Sequence, residues 1–281
     1  ILWDAVSAIG VAIFVYYKSS KNLIAFLESG KFIFILYIVL NLFTVFFFPN
    51  GIAEGRIGQV VWFLGNKNTI LPYILLTEAF IIAVSYEKFS KIKKTTYFEL
   101  AIVALTAIFF DSSTAVLLML VNIIGILGAF LIKEHNIKKL MNGKLLLVVL
   151  VVAFLFIIFM SQNSFITEYI VEFLGKDITF NGRTAIWAEA LAYIRSSPLF
   201  GAGASIIFMQ GLWESSMTHA HDLFLDIAAK YGLITLVIFV YCIVLVFKTG
   251  FYKTKERRLQ MEVPPILLWT FMIYLIGCIV E

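Results

Sequence analysis

The sequence Thr218-His219-Ala220-His221-Asp222-Leu223-Phe224-Leu225-Asp226 lies at the far end of Ser161–Gly232, a long stretch that cannot lie in a bilayer. Before and after this stretch, the chain contains apolar segments long enough to cross a hydrocarbon layer about 30 Å thick. Of the 281 residues, 61% are hydrophobic and 14% are charged, whereas a soluble domain carries about a quarter charged residues. The runs are continuously apolar rather than alternating, which favours helices over a β-barrel. We therefore expect an all-α integral membrane protein.

The apolar runs predict about eight transmembrane helices, six before the long loop and two after it. The chain begins inside an apolar run and without a start methionine, so we expect a truncated protein. Residues 1–281 are predicted to form a single polytopic membrane domain, with 161–222 as a loop that carries the active site. The predicted spans are 1–17, 32–48, 70–86, 97–110, 114–132, 145–160, 223–247 and 264–280.

Basic residues are distributed unevenly between the two faces that these spans define. One face receives 16 of the 22 basic residues, and the other carries the long loop. Because cytoplasmic loops are enriched in lysine and arginine, the long loop is predicted to be extracytoplasmic. Lipid head-group or nucleic-acid binding is an alternative role for the lysines, but lysines that set the orientation are expected in every such loop. These lysine-rich loops hold Lys18, Lys21, Lys31, Lys88, Lys91, Lys93, Lys94, Lys133, Lys138, Lys139, Lys144, Lys248, Lys253, Lys255, Arg257 and Arg258.

Inside the long loop, the pattern predicts an amphipathic helix. Asn181-Gly182 suits a helix N-terminus, and Ser196-Ser197-Pro198 ends the helix. We expect the helix to lie along the membrane surface, with Trp187 and Tyr193 at the level of the head groups. Its apolar stripe consists of Ile186, Ala190, Tyr193 and Ile194, widened by Trp187 and Leu191.

Three arginines, Arg183, Arg195 and Arg56, lie on the predicted outer face. Arginine presents a planar fork that binds phosphate at two points and keeps its proton. An outward-facing cavity lined by arginines would suit a phosphate or diphosphate on a lipid carrier. Arg183 falls in the first turn of the predicted helix, where the helix dipole repels a cation, and this mildly favours a functional role. A salt bridge to Glu189, contact with lipid phosphate, and the ordinary scatter of three arginines are the alternatives.

His219 and His221 carry the sharpest chemical signal. Histidine can act as a general base near neutral pH and is also a common metal ligand. A catalytic zinc site needs about three protein ligands, and the remaining histidine, His135, falls on the opposite face, so we expect no metal. Asp222 and Asp226 share a helix face, where either one orients a histidine or meets water. A structural role for both histidines is the alternative.

In their order along the chain, these motifs resemble the O-antigen ligase/polymerase superfamily over roughly residues 50–240. One position departs from that pattern: Asp222 stands where the family usually has Asn, so a hydrogen bond donated by that amide would be lost. The resemblance rests on Gly55-Arg56-Ile57-Gly58, Gly65-Asn66-Lys67-Asn68, Phe110-Asp111-Ser112-Ser113-Thr114-Ala115, Arg183, Ile186-Trp187, Ser197-Pro198-Leu199-Phe200-Gly201-Ala202-Gly203, His219-Ala220-His221-Asp222 and Tyr231-Gly232-Leu233-Ile234.

The resemblance implies glycosyl transfer from a polyprenyl-diphosphate-linked oligosaccharide donor to a glycan acceptor. The reaction would occur at the extracytoplasmic face of a bacterial cytoplasmic membrane, without metal or cofactor. His221 would take the proton of the acceptor hydroxyl, with His219 as the second candidate. The implied diphosphate-binding residues are Arg183, Arg56 and Arg195, and the supporting residues are Asp222, Trp187 and Asn68. The bilayer and a chain-length regulator are implied partners, and nucleic acid is not.

Within the family, polymerases extend a lipid-linked glycan, whereas ligases transfer it to lipid, protein or wall acceptors. The Lys-, Ile- and Phe-rich composition indicates a low-GC genome, which favours a polymerase for O-antigen, capsule or exopolysaccharide. A transporter or lipid-linked-oligosaccharide flippase is the competing class. Such folds place ionisable residues or broken helices near the membrane centre in paired halves, and here the polar cluster lies in an outer loop. A non-catalytic membrane scaffold is a third alternative.

Overall fold

A computed structural model of the chain is dominated by helices. They are α1 (Leu2–Lys21), α2 (Leu23–Phe47), α3 (Leu71–Phe89), α4 (Lys94–Phe109), α5 (Ser113–Leu131), α6 (Arg183–Ser196), α7 (Leu223–Thr249) and α8 (Val263–Val280), with a small antiparallel hairpin of β1 (Ala53–Glu54) and β2 (Val60–Val61). The structure describes residues 2–54, 60–67, 69–89, 91–110, 112–131, 144–145, 147–152, 183–208, 219–249 and 263–280.

These helices occupy the segments that the apolar runs predicted, with ends shifted by up to nine residues. The sixth predicted span, 145–160, is described only in part, and residues 147–152 of it are helical. Helix α6 begins at Arg183 and ends at Ser196. The helix end before Pro198 is therefore confirmed, whereas Asn181-Gly182 lies outside the described residues.

Among the described residues, α2 and α7 are long and apolar enough to cross a membrane, and shorter apolar helices cover Thr114–Gly128 and Ile266–Ile279. Large apolar side chains point away from the protein on both long helices: Phe46 is 59% exposed and Val237 is 67% exposed. Exposure of this kind is unfavourable in water and suits lipid. The chain is thus an integral membrane protein, while the number of spans, their orientation and the single-domain organisation stay predictions.

The chain divides into two compact units. The first contains α1 to α4, the hairpin, α5 up to Ile123 and α8 up to Thr270. Helices α2 and α3 pack closely in this unit because Gly30 leaves room for the Phe80 ring, and a Cβ at Gly30 would lie 2.4 Å from that ring. The Phe34 and Phe80 rings stack with their centroids 5.4 Å apart. On α2, Asn41 also accepts a hydrogen bond from the Leu64 N–H at 2.8 Å, which fastens the segment after the hairpin to the helix.

A buried polar chain crosses the apolar interior of the first unit. Asn122 on α5 donates to the Glu78 carboxyl on α3 at 2.9 Å, and Thr270 on α8 donates to Asn122 at 3.2 Å. All three side chains are buried. Buried polar groups are costly without partners, so these hydrogen bonds favour one packing arrangement of the three helices. None of the three residues was predicted from the sequence.

The second unit contains α6 and α7, together with the segments next to them in sequence, residues 197–208 and 219–222. Ile186 and Ala190 on α6 pack against Phe208, Ala220 and Ala229 in a small buried cluster. Both histidines of the predicted site lie beside this cluster.

Candidate active site

Ala220, between the two histidines, is anchored from both sides. Its carbonyl accepts a hydrogen bond from the Trp187 indole N–H on α6 at 3.0 Å, and its N–H donates to the Asp226 carboxylate on α7 at 2.9 Å. Its methyl group is fully buried. The segment is not helical, so its backbone groups need partners from elsewhere in the protein. Two side chains supply them, which fixes the point from which His219 and His221 project.

His219 and His221 meet on either side of this anchor. Their rings are in edge-to-face contact, with centroids 4.1 Å apart. His219 is exposed and His221 is half-buried, so the pair lies at the surface of the second unit.

The backbone of His221 is strained. Its φ is +53°, and among the residues that the structure describes it is the one non-glycine residue with a positive φ. A side chain in this left-handed region costs about 1 kcal/mol or more, and glycine avoids that cost. Strain of this kind concentrates at functional sites. The observation favours a functional role for His221 over a purely structural one.

Asp222 caps the start of α7. Its carboxylate accepts a hydrogen bond from the Leu225 N–H at 2.8 Å, and only 4% of the residue is exposed. Burial raises the pKa of this carboxyl from 3.8 to about 6, against the effect of the backbone N–H groups of Leu225 and Phe224, while neighbouring Asp226 adds to the rise. The side chain acts here as an acceptor, and an Asn side chain could make the same cap. The cap at position 222 therefore needs only an acceptor, which both Asp and Asn provide.

Asp226 connects the histidine segment to α7. One carboxylate oxygen accepts from the Ala220 N–H, and the other pairs with Lys230 one turn further along, at 2.7 Å. The Lys230 side chain is 12% exposed, so solvent screens this ion pair less than it would a surface pair. Of the two roles that the sequence left open for Asp226, orienting the histidine segment is the one that these contacts support.

One expectation for α6 was wrong. Trp187 and Tyr193 were predicted at the level of the head groups, but Trp187 is 8% exposed and Tyr193 donates its hydroxyl proton to the Ile207 carbonyl at 3.2 Å. The apolar stripe of α6 faces protein rather than lipid, because Ala220, Phe208 and Ala229 lie against it. Trp187 holds the histidine segment through its hydrogen bond to the Ala220 carbonyl, while its role in the site stays a prediction.

The turn Ser197–Gly203 docks against a kink in α7. The kink is at Gly232, with φ of +83° and ψ of 169°, and it leaves helix N–H and C=O groups without their usual partners. The turn supplies new ones: Leu233 N–H donates to Pro198, and the Ala229 and Lys230 carbonyls accept from Ala202 and Gly203, at 2.8, 2.8 and 3.0 Å. The turn Ser197–Gly203 is thus a structural support for α7.

Two glycines permit this docking. A Cβ at Gly232 would lie 2.1 Å from the Leu199 oxygen, and a Cβ at Gly201 would lie 2.4 Å from the Lys230 carbonyl group. Neither distance is physically possible without displacing backbone. Both glycines belong to motifs visible in the sequence, but their contact is not visible there. The two motifs are about 30 residues apart, and only the folded chain brings them together.

The predicted arginines are not all in one place. Arg183 begins α6, one turn from the Trp187–Ala220 hydrogen bond, whereas Arg195 is exposed in the last turn. Twelve residues separate them, or about 18 Å along the helix. Arg56 falls in the connection between β1 and β2, and both Arg56 and Asn68 lie outside the described residues.

No metal cluster is apparent in the described ranges, where no three His, Cys, Asp or Glu side chains come together. Because residues 153–182 and 209–218 are not described, the expected absence of a metal stays a prediction.

Comparison with known proteins supports the resemblance stated above. A family model described as O-antigen ligase matches residues 100–240. The exopolysaccharide production protein ExoQ of Rhizobium meliloti (strain 1021) is 29% identical over 110 residues, which is 35% of this chain and 24% of that protein. The chain thus spans about a quarter of the length of this relative. No solved structure gives a significant match.

Proposed function

Because this chain belongs to the O-antigen ligase family, we propose that it polymerises lipid-linked polysaccharide repeat units by glycosyl transfer from a polyprenyl-diphosphate donor. The similarity to an exopolysaccharide production protein supports the polymerase role, while the family description keeps a glycan ligase as the alternative. We place the protein in a bacterial cytoplasmic membrane, with the histidine segment on the extracytoplasmic face. A chain-length regulator is a further proposed partner.

The observation that carries this proposal is the anchored histidine segment. Trp187 and Asp226 hold Ala220 through both of its backbone polar groups, and His221 keeps an unfavourable backbone conformation next to it. A transporter or a scaffold makes no demand for two histidines fixed in this way. A glycosyltransferase does, since a general base must be held within hydrogen-bond reach of the hydroxyl that it deprotonates.

The proposed step forms one bond and breaks one. The acceptor hydroxyl oxygen attacks the anomeric carbon of the donor glycan, and the bond between that carbon and the diphosphate oxygen breaks. The polyprenyl diphosphate leaves with the electron pair. His221 takes the hydroxyl proton, and His219, whose ring touches that of His221, is the second candidate. No cofactor is required for this balance.

Arg183 is the proposed contact for the leaving diphosphate. It begins α6 close to the Trp187–Ala220 hydrogen bond, and positive charge near the breaking bond stabilises the developing anion. Arg195 lies about 18 Å further along α6, so we assign it to a different phosphate, that of a lipid head group or of the carrier before it reaches the site. Arg56 and Asn68 are proposed as further contacts on the resemblance alone.

The test uses the full-length gene in a strain that lacks its own copy, with surface glycan separated on a gel. Wild type is compared with His221→Ala and Arg183→Ala, and His135→Ala serves as a matched control from outside the proposed site. Membrane levels of all four proteins are measured first. Long chains from wild type and the control, with single repeat units from the two site variants, are expected of a polymerase.

Two other outcomes would change the proposal. If single repeat units also disappear from the surface in the site variants, the protein is a ligase or a flippase. If both variants make wild-type chains, the assignment of His221 and Arg183 is wrong. Separation of His221→Ala from His219→Ala in the same assay would show which histidine is the base.

A further inference from the structure

The turn Ser197–Gly203 carries two apolar side chains that the second unit leaves uncovered. Leu199 is 55% exposed and Phe200 is 79% exposed. Burying such side chains away from water is favourable. Single exposed apolar residues are common and need no explanation, so the case for a partner surface rests on how and where this pair is held.

The pair stands on a rigid support. The backbone on either side of it is hydrogen-bonded to α7 at Ala229, Lys230 and Leu233, and the approach at Gly232 is close enough to exclude a Cβ. A loop fixed in this way cannot fold over to bury its own tip. The exposure of Leu199 and Phe200 is therefore built into the docking of the turn.

The pair also lies at the point where α7 changes from a charged segment to an uncharged, apolar one. Before the kink, α7 carries the Asp226–Lys230 ion pair. After it, Leu233–Phe247 contains no charged residue, and Leu233–Thr249 is long enough, at 17 residues, for the shortest spans of a bilayer. Tyr231, 43% exposed, stands at this change, where tyrosines are enriched at membrane interfaces.

The chain around the tip can approach lipid without desolvating an ion. Residues 196–208 include no Asp, Glu, Lys, Arg or His. Pro198 donates no backbone hydrogen bond, and the Ala202 and Gly203 N–H groups are already bonded to α7. Few polar groups would thus lose hydration on insertion.

We propose that Leu199 and Phe200 insert among the phospholipid acyl chains of the leaflet that borders the histidine segment. Gly232 then marks the membrane boundary. The half of α7 from Leu223 to the kink, about 15 Å long, stands beyond the hydrocarbon and carries the histidine segment at its far end. The predicted seventh span, 223–247, is accordingly shortened to the part after the kink. This inference concerns lipid contact and does not depend on the proposed reaction.

The test places a fluorophore on the tip of the full-length protein in phospholipid vesicles. Cys242 and Cys278 are first changed to Ser, and a polarity-sensitive label is attached to Phe200→Cys. Ala188→Cys is the matched control. Position 188 is exposed on α6 and lies about 14 Å along the helix from the start of the turn at Ser197. Spin-labelled phospholipids, with the nitroxide near the top of the acyl chain, then act as quenchers, and iodide in the buffer reports water.

The label at position 200 is expected to lose about half or more of its fluorescence to the spin-labelled lipid and little to iodide, with the reverse at position 188. Quenching of position 200 by iodide alone would place the tip in water and overturn the proposal. Shielding from both quenchers would show that protein covers the tip. Shielding that appears only after polyprenyl phosphate is added would assign the tip to the carrier lipid. Both of these shielding results would contradict insertion among phospholipids.

Discussion

Two irregular segments dock on the same half of α7, and they are held in different ways. The histidine segment is held by side chains, with Trp187 and Asp226 bonding to the backbone of Ala220. The turn Ser197–Gly203 is held by its own backbone, which bonds to α7 around the kink at Gly232. The first segment presents imidazoles at its surface, and the second presents Leu199 and Phe200.

These two ways of holding a segment determine which of its residues can be substituted. A backbone interface at van der Waals distance tolerates no added atom, so its sequence requirement is glycine. A segment held by side chains can lose one contact and remain in place with a weaker or displaced anchor. Substitutions in the turn should therefore affect folding first, and substitutions around Ala220 should affect the site first.

The largest effect is expected from Gly232→Ala. The new Cβ would lie 2.1 Å from the Leu199 oxygen, and the backbone at φ +83° and ψ 169° is a conformation that essentially only glycine adopts. We expect the free energy of unfolding to fall by more than about 4 kcal/mol, because the clash and the strain add. Thermal unfolding in detergent and the amount of protein in the membrane would measure this loss.

Gly203→Ala is the control that separates strain from collision. Its φ is +102°, but a Cβ there would meet nothing within 4 Å. A loss of about 1–2 kcal/mol is expected from strain alone. Equal losses at Gly203 and Gly232 would mean that close docking of the turn contributes nothing, and the contrast between the two segments would disappear.

Asp222→Asn should stabilise the protein in a pH-dependent way. Asparagine keeps the acceptor that caps α7, and it removes a buried carboxyl whose pKa is raised to about 6 in the folded state. The difference from 3.8 corresponds to about 3 kcal/mol at neutral pH. The gain is expected as a higher unfolding temperature of the variant above pH 6.

The direction of this dependence follows from proton binding. Below about pH 4 the carboxyl is protonated in both states, and the two proteins should differ little. Between about pH 4 and 6 the unfolded chain loses the proton while the folded protein keeps it, so wild-type stability falls as pH rises. A stability difference that stays constant from pH 4 to 8 would contradict the assignment of a buried carboxyl at position 222.

Asp226→Ala and Asp226→Asn separate the two contacts of Asp226, its hydrogen bond to the Ala220 N–H and its ion pair with Lys230. Alanine removes both the acceptor for the Ala220 N–H and the partner of Lys230, and should lower the free energy of unfolding by about 1–3 kcal/mol. Asparagine retains an acceptor and loses only the ion pair, which should cost about 1 kcal/mol. In the glycan assay we expect Asp226→Ala to make roughly tenfold to hundredfold less long-chain glycan, because the histidines lose their position.

If Asp226→Asn is as inactive as Asp226→Ala while both reach the membrane at wild-type level, the charge of Asp226 matters more than its hydrogen bond to Ala220. The anchor would then be electrostatic, and the contrast with the turn would need a different explanation.

The sequence was sufficient where local rules decide the structure. The end of α6 follows from residues next to it, such as Pro198, and the apolar runs located the other helices with ends shifted by up to nine residues. It failed where two distant segments decide. Periodicity shows that α6 has an apolar stripe but not whether lipid or protein covers it, so the buried position of Trp187 was missed.

The kink in α7 illustrates the same limit. A glycine within an apolar run only weakens a helix, and 223–247 was predicted as one span. The break at Gly232 is stable because the turn Ser197–Gly203 satisfies the backbone groups that it frees. The polar chain through Glu78 likewise depends on helices far apart in sequence. The ordered motifs did identify the family, since motif order is a property of the sequence itself.

The smallest change in stability is expected from His221→Gly, which tests the histidine segment through its activity. Glycine adopts φ of +53° without strain, but it also makes the unfolded chain more flexible, so the two effects nearly cancel and stability should change by less than about 1 kcal/mol. Activity should be lost with the imidazole. Thermal unfolding and the glycan assay on the same preparations would measure both.

His219→Gly is the matched substitution, because His219 has no positive φ to relieve. It should be destabilising by about 0.5–1 kcal/mol, the ordinary cost of glycine flexibility. If His221→Gly is destabilised as much as His219→Gly, the left-handed backbone at position 221 carries no strain, and the structural argument for His221 loses its basis. If His221→Gly is as stable as wild type and inactive, the sequence keeps an unfavourable residue there for the sake of its side chain, which is the behaviour expected of a general base.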